Sequence, residues 1–302
     1  MSHDHGHGTA TQADRGRLQV VLVITLTVMV AEAVGAAVSG SFALLADAGH
    51  MLTDAGGIVL ALVAARLAAR PATAARTFGW QRAEILAALA NGLVVSVVGV
   101  VVLVEGIGRI VDPPRVDAGL MLAVAVIGLV ANTGSLLLLR PGKQRSLNVR
   151  GAYLEVLGDL LGSVAVIVAA LVVLVSGFDA ADGIASVVIG LLIVPRAVAL
   201  LRSVAHVLLE ATPDGVDLAA VRAHIGGLPG VVGVHDLHAW TITSGVPVLS
   251  AHVVVGDEVI AGGTAWVLDS LHACLSGHFD VAHCTFQIEP AAHAEHEGHT
   301  HD

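Results

Sequence analysis

Six long apolar runs constrain this chain more strongly than any other feature of its sequence. A helix needs about 20 mainly apolar residues to cross a bilayer. Only 13% of the 302 residues are charged, whereas soluble domains carry about 25% charged residues. We therefore expect an α-helical membrane protein with six transmembrane helices. The runs cover residues 18–39, 42–69, 83–111, 118–139, 149–176 and 180–201.

The lysines and arginines lie mostly on one side of these runs. The chain has 15 of them, and the largest groups follow the second and fourth runs. Only Arg109 and Arg115 fall on the opposite side, and Arg196 is assigned to the cytoplasmic end of the sixth run. Cytoplasmic loops of membrane proteins are enriched in basic residues. We therefore expect a multi-pass protein of the inner (plasma) membrane with its N- and C-termini in the cytoplasm.

After residue 202 the long apolar runs end and shorter segments follow. Residues 231–243, 246–256 and 281–289 are rich in β-branched side chains and predict strands, while residues 216–225 and 264–275 predict amphipathic helices. The order α-β-β-α-β indicates a small cytoplasmic α+β domain of the ferredoxin-like kind. We expect both His-rich ends to be disordered. The predicted divisions are an N-terminus (1–17), a transmembrane domain (18–202), the α+β domain (203–290) and a tail (291–302).

Two pairs of ionisable residues lie inside the apolar runs. A carboxylate at the centre of a bilayer costs at least about 2.5–3.5 kcal/mol, so each needs a partner or a function. His50 and Asp54 are four residues apart, as are Glu155 and Asp159, so each pair shares one helix face. At about 1.5 Å per residue, both pairs fall near the membrane midplane. These four side chains are predicted to form a tetrahedral site for a divalent metal.

Four other acidic residues also lie in the apolar runs. For Glu32, Glu84 and Glu105 we favour a structural role over a position along a water-filled path. Asp47 lies one turn before His50 and is equally consistent with an outer vestibule residue and with a proton acceptor. None of the four is assigned to the metal site.

At these residues the sequence resembles the cation diffusion facilitator family of proton-coupled zinc exporters. The resemblance covers nearly the whole chain, and the HxxxD pair on the second run is specific. In similar proteins the second and fifth spans form the transport site, which implies His50, Asp54, Glu155 and Asp159 here. The stretches that carry the resemblance are SFALLADAGHMLTDAGGI (41–58), RTFGWQRAEILAALANGL (76–93), GAYLEVLGDLLGSVAVI (151–167), VHDLHAWTITSG (234–245) and LSAHVVV (249–255).

One departure from the family pattern concerns the metal. Zinc exporters of the family usually have a histidine where this chain has Glu155. A hard oxygen ligand favours metals such as Mn²⁺, although Zn²⁺ also binds carboxylates. The resemblance implies alternating access. Because protons and metal compete for the same ligands, we also expect cytoplasmic metal to be exchanged for external protons, with His50 and Glu155 as candidate proton carriers. We expect Zn²⁺ as the substrate, with Mn²⁺, Co²⁺ or Cd²⁺ as the alternatives.

The resemblance also implies a metal site in the cytoplasmic domain. In similar proteins the ligands come from three strands, which implies His235, His252 and Glu289. His283 and Cys284 adjoin the last strand and are candidate further ligands. The family further implies a homodimer. The His-rich ends are equally consistent with metal collection and with simple solvation.

Other functional classes fit the sequence less well. A primary pump would need a nucleotide-binding loop, and an enzyme would need a nucleophile with a base; neither motif is found. A metal sensor would not need six spans, and a metal-permeable channel needs weak binding at several sites. The net charge of -10 without a basic stripe argues against nucleic acid. We therefore expect a transporter in a lipid bilayer that needs no cofactor beyond its metal and proton substrates.

Overall fold

The chain forms two compact units. The computed structural model describes residues 7–141, 147–243, 245–278, 283–294 and 296. The first unit combines the residues up to Leu60 with Ala90–Leu201. The second combines Ala61–Leu89 with the residues from Arg202 onward. The second unit therefore contains the α+β domain, the end of one long helix, the start of the next long helix and the segment that joins the two.

Six long helices account for the apolar runs. They are α1 (His7–Ser39), α2 (Phe42–Ala68), α3 (Ala83–Val111), α4 (Ala118–Leu139), α5 (Leu147–Ser176) and α6 (Ala180–Leu208). Each contains a stretch long and apolar enough to cross a membrane, which confirms the predicted spans.

The ends of two helices differ from the prediction. α1 begins at His7, so it includes residues 7 and 8 of the His-rich stretch 2–8, which we expected to be disordered. α6 continues to Leu208, beyond the predicted end at residue 201. The prediction ended where apolar residues end, whereas backbone hydrogen bonding carries a helix on into polar sequence. Residues 1–6 and 297–302, with most of the terminal histidines, lie outside the described residues.

Two residues, Gly40 and Ser41, join α1 to α2. Gly40 has a φ of 75°, and its N–H donates to the carbonyl oxygen of Ala36 at 2.9 Å. This left-handed conformation is the usual way to end a helix, and it is inexpensive only for glycine. The connection places the start of α2 directly beside the end of α1.

The helices of the first unit pack closely around α4. α4 packs against both α1 and α5. Met121 and Ala125 on α4 are fully buried. A Cβ added to Gly35 of α1 would come within 2.8 Å of Val124, so the glycine permits this approach. Large apolar side chains such as Val175, which is 88% exposed, cover the outer faces, as expected of helices in contact with lipid.

The structure corrects the assignment of Arg196. We placed this arginine at the cytoplasmic end of the sixth span, but it lies well inside α6, immediately after Pro195. It therefore does not contribute to the excess of basic residues in the loops. The groups after the second and fourth spans still carry the prediction of orientation.

The C-terminal domain has the predicted order of elements with two additions. Its elements are α7 (Leu218–Gly226), β1 (Val231–Thr241), β2 (Pro247–Val255), α8 (Asp257–Gly262), α9 (Ala265–His278), β3 (His283–Pro290) and α10 (Ala291–Ala294). The short helix α8 was not predicted, and α10 lies in the segment that we expected to be a disordered tail. Ser244, in the predicted turn, and residues 281–282, in the predicted third strand, lie outside the described residues.

The three strands form one sheet with β2 in the centre. β1 pairs with β2 antiparallel, and β2 pairs with β3 parallel. Val221 and Ile225 of α7 are buried in a core with Leu249 and Val253 of β2 and Leu271 of α9. The sheet register places His235 opposite His252 and Glu289 opposite Val254, so the predicted ligands come from neighbouring positions.

Candidate metal centres

The first predicted pair forms on α2. His50 Nε2 lies 3.5 Å from Asp54 Oδ2, one helical turn away. The His50 residue is 7% exposed, so its imidazole is held within the protein. This is the i,i+4 geometry expected from the sequence.

The three predicted carboxylates meet at one cavity. Asp54 of α2 and Glu155 and Asp159 of α5 line a cavity of about 220 Å³. Leu18, Leu22 and other side chains of α1 line the same cavity, together with apolar side chains of α2 and α5. Since a water molecule takes about 30 Å³ in the liquid, a metal ion with several waters fits this space. The structure thus brings the second and fifth spans together as predicted.

His50 lines a second, smaller cavity together with Arg196, which we did not assign to the site. This cavity of about 30 Å³ is lined by Asp47, His50, Gly158 and Arg196, among others. A Cβ added to Gly158 would lie 2.8 Å from Arg196 Nη2, so the guanidinium rests against α5. Arg196 is an electrostatic neighbour of Asp54, Glu155 and Asp159. Arg196 falls within the predicted sixth span, so the argument that selected the carboxylates could have found it.

The other acidic residues of the spans have different environments. Glu84 accepts a hydrogen bond of 2.7 Å from the Thr243 hydroxyl, which fits the structural role that we favoured. Glu105 is exposed. Glu32 and Asp47 are buried, and neither Glu32 oxygen nor Asp47 Oδ2 has a hydrogen-bond partner within the described residues. Among the residues that the structure describes, Glu32 therefore has no hydrogen-bond partner that would support the structural role we favoured.

Asp182 holds the start of α2 in place. This aspartate of α6 is 2% exposed. It accepts hydrogen bonds from the Ser41 hydroxyl at 2.6 Å and from the backbone N–H groups of Phe42 and Ala43 at 2.9 and 3.2 Å. Arg109 lies 3.5 Å from its Oδ2. A carboxylate that binds the first N–H groups of a helix also matches the positive end of the helix dipole. Asp182 thus fixes the helix that carries His50 and Asp54.

A second cluster of ligand groups lies on the sheet of the C-terminal domain. One ligand atom each from His235, Asp236 and His252 lies within 4.8 Å of the others. Glu289 Oε1 is 2.5 Å from His235 Nε2, and its Oε2 is 3.7 Å from His252 Nδ1. Two imidazoles and two carboxylates make a set that suits a tetrahedral metal. Sequence analysis had selected His235, His252 and Glu289 but not Asp236.

A backbone irregularity brings Asp236 into this cluster. The register of β1 against β2 shifts between His235 and His238, and Asp236 has a φ of 45°. In a regular strand, adjacent side chains point to opposite faces. The bulge instead lets Asp236 Oδ2 approach His235 Nδ1 to 3.2 Å. No sequence signal marks this bulge, apart from the tolerance of aspartate for positive φ.

The pKa of Glu289 is lowered despite its burial. Burial alone would raise the pKa of this carboxyl. Hydrogen bonds from Gln287 and His235, with the charges of His235 and His252, outweigh that effect and lower the pKa below 4.5. Glu289 therefore remains ionised at neutral pH and is ready to act as a ligand.

The structure does not bring His283 and Cys284 to this cluster. They pair with Val248 and Leu249, whereas His252 pairs with Gln287. At about 3.3 Å per residue, His283 lies roughly 13 Å along β3 from Gln287. The His283 ring instead contacts Phe78, with a centroid distance of 6.0 Å. Cys284 packs against the domain core, and burial raises the pKa of its thiol, which disfavours the thiolate that binds metal.

The fold combines six apolar helices that carry candidate metal ligands with a C-terminal domain that carries a second ligand cluster. This combination is typical of a membrane transporter of metal cations. The chain belongs to the cation efflux family. The family model for the cation efflux transmembrane domain matches residues 18–209, and that for the cation efflux protein cytoplasmic domain matches residues 213–291. The protein is therefore a multi-pass membrane transporter that exports divalent metal cations, and it is not an enzyme.

Several curated relatives share most of the chain. The metal cation efflux system protein CzcD of Cupriavidus metallidurans is 44% identical over 263 residues, covering 87% of this chain and 83% of the relative. The zinc transporter ZitB of Escherichia coli is 41% identical, covering 86% and 83%. The cadmium, cobalt and zinc/H(+)-K(+) antiporter of Bacillus subtilis is 38% identical, covering 88% and 86%.

Proposed function

We propose that this protein exports Zn²⁺ from the cytoplasm in exchange for external protons, by alternating access at His50, Asp54, Glu155 and Asp159. The observation that carries the proposal is the cavity at which Asp54, Glu155 and Asp159 meet, one turn from His50. A divalent ion there would offset charges that are otherwise costly inside a membrane. The names of the similar proteins include zinc, cadmium and cobalt, and this range supports the class of substrate.

Proton exchange follows from the chemistry of the ligands. Metal binding needs a neutral imidazole and ionised carboxylates, so protons compete with the metal for the same groups. Protonation of His50 from the outward side would weaken the site and release the ion. Histidine suits this role because its ordinary pKa lies near 6.5. Glu155 provides a second group that can carry a proton.

Glu155 is the residue on which metal preference depends. It supplies oxygen where imidazole would supply nitrogen, and this moves the site towards harder metals such as Mn²⁺. Asp54 and Asp159 bind either class of ion. Mn²⁺, Co²⁺ and Cd²⁺ are therefore the alternative substrates.

The cytoplasmic cluster is proposed to bind a divalent metal through His235, Asp236, His252 and Glu289. His235 is hydrogen-bonded to a carboxylate at each ring nitrogen. A metal would replace the proton at one nitrogen, while the other nitrogen keeps the ring oriented. We further propose a homodimer in the inner membrane with both termini in the cytoplasm. The match to a family's cytoplasmic domain and the basic loops support this arrangement.

Metal accumulation in reconstituted vesicles, with and without an imposed proton gradient, tests the proposal. We expect Zn²⁺ accumulation that depends on the gradient. Asp54→Ala should reduce it by at least about tenfold, because losing even an outer partner of a metal ligand costs 10–100-fold. Glu105→Gln is the matched control, since Glu105 is exposed. Transport indifferent to the gradient would exclude proton exchange, and unaltered transport by Asp54→Ala would exclude this site.

A second series of the same transport measurements tests which metal is the preferred substrate. Zn²⁺, Cd²⁺, Co²⁺ and Mn²⁺ are offered to the parent protein and to Glu155→His. If Zn²⁺ is the substrate, the parent prefers it and the variant retains that preference. If the parent instead prefers Mn²⁺ and the variant prefers Zn²⁺, then Glu155 determines the metal preference and the substrate is the harder ion.

A further inference from the structure

A second group of buried carboxylates lies beside the proposed transport residues. Glu32 of α1 is 1% exposed and Asp47 of α2 is 2% exposed. Both oxygens of Glu32, Oδ2 of Asp47 and Oδ1 of Asp159 lack a hydrogen-bond partner within the described residues. Glu32, Asp47 and Asp159 are also electrostatic neighbours of one another. Arg196 neighbours Asp159 and lines a cavity with Asp47, but a single cation does not offset three carboxylates. Burying an ionised carboxylate without a partner is costly, so this arrangement calls for a further positive charge.

Two glycines make room for these carboxylates. A Cβ added to Gly128 of α4 would lie 2.7 Å from Glu32 Oε1 and 3.2 Å from Ser163 Oγ. A Cβ added to Gly162 of α5 would lie 2.5 Å from Asp47 Oδ1. Since Ser163 follows Gly162, the side chains of Glu32 and Asp47 converge on the same part of α5.

A buried amide adds a neutral oxygen to this group. Asn132 lies one turn after Gly128 on α4 and is fully buried. Its Nδ2 is 3.5 Å from Ser163 Oγ, and its Oδ1 has no hydrogen-bond partner in the part of the chain that the structure describes. The available donors are thus carboxylate, amide and hydroxyl oxygens. No nitrogen ligand contributes, in contrast to the set that contains His50.

We propose that Glu32, Asp47 and Asn132, with Asp159 at the border, form a second cation position for a hard divalent ion such as Mn²⁺. An all-oxygen set of this charge suits hard cations. The inference rests on the proposed function because Asp159 belongs to both groups. An ion that moves from His50 and Asp54 towards Glu32 and Asp47 would keep Asp159 as a ligand throughout. The second position therefore lies on the transport path.

Mn²⁺ binding to the full-length protein in detergent tests this position. Free Mn²⁺ is measured by electron paramagnetic resonance during a titration. The Asp54→Ala variant, which has lost a transport ligand, should still bind one Mn²⁺ that the double variant Asp54→Ala, Glu32→Gln has lost. Adding Glu105→Gln to Asp54→Ala is the matched control and should leave the number of bound ions unchanged. The other metal sites are the same in all three proteins, so the difference reports the second position.

A pair of glycine variants disturbs the position without removing a charge. Gly128→Ala in the Asp54→Ala background should also lose the Mn²⁺ ion, because its methyl group would displace Glu32. Gly134→Ala on the same helix should not, since a Cβ there meets nothing within 4 Å.

The outcomes separate the two proposals. Equal Mn²⁺ binding with and without Glu32→Gln, and with and without Gly128→Ala, would overturn the second position. Unaltered Zn²⁺ transport by Asp54→Ala alone would overturn the proposed function instead. If Glu32→Gln does not fold, Gly128→Ala against Gly134→Ala decides the question.

Discussion

At the scale of residues, Arg196 is a basic neighbour of the proposed transport carboxylates. Arg196 neighbours Asp54, Glu155 and Asp159, and its guanidinium lies against Gly158. A fixed positive charge beside a divalent site opposes metal binding by Coulomb repulsion, and it stabilises the carboxylates when no metal is bound. We therefore expect Arg196 to limit the affinity of the proposed transport site for metal and to promote release of the ion.

Arg196→Gln is therefore expected to lower the KM for metal and to slow turnover. Removing the repulsion should tighten binding by up to about tenfold, which corresponds to about 1.4 kcal/mol. The measurement is the metal dependence of transport in vesicles, with Arg66→Gln at the end of α2 as the control. A raised KM with unchanged turnover would show that Arg196 assists binding instead.

The environment of Cys284 leads to a second prediction at this scale. Burial raises the pKa of this thiol above its ordinary value of 9.0. Less thiolate is then present at neutral pH, so alkylation should be slower than for a free thiol and should still accelerate as the pH rises past 9. The rate is measured by mass spectrometry in Cys274→Ser. The same protein in denaturant should react at the ordinary rate, and equal rates in the two states would contradict the prediction.

Spacing and the family resemblance selected most of the candidate ligands, but neither selected Asp236 or Glu32. His50 with Asp54 and Glu155 with Asp159 follow from spacing alone, because a helix places residues four apart on one face. Asp236 joins the cluster on the sheet through a bulge, and Glu32 fits beside α4 because Gly128 leaves room for its carboxylate. Neither arrangement has a local signal in the sequence.

At the scale of elements, the position of α2 is set by contacts distant in sequence. Asp182 of α6 accepts hydrogen bonds from Ser41, Phe42 and Ala43 at the start of α2. Gly40 turns the chain there, and Arg109 donates to the Gly40 carbonyl oxygen at 2.9 Å. The start of the helix that carries His50 is thereby fixed against two other helices.

Asp182→Asn should destabilise the folded protein by about 1–3 kcal/mol, the usual cost of losing hydrogen bonds to a charged group. An amide keeps one acceptor oxygen but loses the charge that faces Arg109 and the helix dipole. Thermal unfolding in detergent measures the effect. Asp112→Asn, at an exposed aspartate after α3, should unfold like the parent. An unaltered midpoint for Asp182→Asn would show that the carboxylate charge is dispensable.

Two adjacent glycines of α2 provide a matched test of helix packing. A Cβ on Gly57 would lie 2.8 Å from both Asn91 side-chain polar atoms, whereas one on Gly56 meets nothing within 4 Å. Gly57→Ala should lower stability by about 1–3 kcal/mol, as overpacking does. Gly56→Ala should be neutral or stabilising, because alanine favours a helix by about 1 kcal/mol over glycine. Equal unfolding midpoints for the two variants would exclude close packing at Gly57.

At the scale of the whole molecule, hydropathy was sufficient to predict the number of spans and the order of domains. Membrane helices must satisfy their backbone internally, so their lengths can be read from composition. The division into compact units was not predictable in this way. Ala61–Leu89, which includes the end of one span and the start of the next, belongs with the C-terminal domain. That assignment depends on contacts such as Thr243 with Glu84.

The hydrogen bond from Thr243 to Glu84 is expected to stabilise the second unit, and this expectation can be tested by mutation. Thr243→Val removes the hydroxyl while keeping the shape of the side chain. It should lower the free energy of unfolding of the second unit by about 1–3 kcal/mol, because a part-buried acceptor loses its donor. Thr243→Ser retains the hydroxyl and serves as the control. Hydrogen exchange across α3 and β1 measures the change, and equal protection in the parent and both variants would contradict it.

The capping of α2 by Asp182 also bears on how the chain is made. A ribosome delivers the helices to the membrane in order, so the N–H groups of Phe42 and Ala43 cannot bind Asp182 until α6 has been synthesised. The aspartate that completes that helix end lies about 140 residues further along the chain. Nascent chains that stop before residue 182 would therefore lack this anchor for α2, and the proposed metal path would acquire its final geometry only when the last helix is inserted.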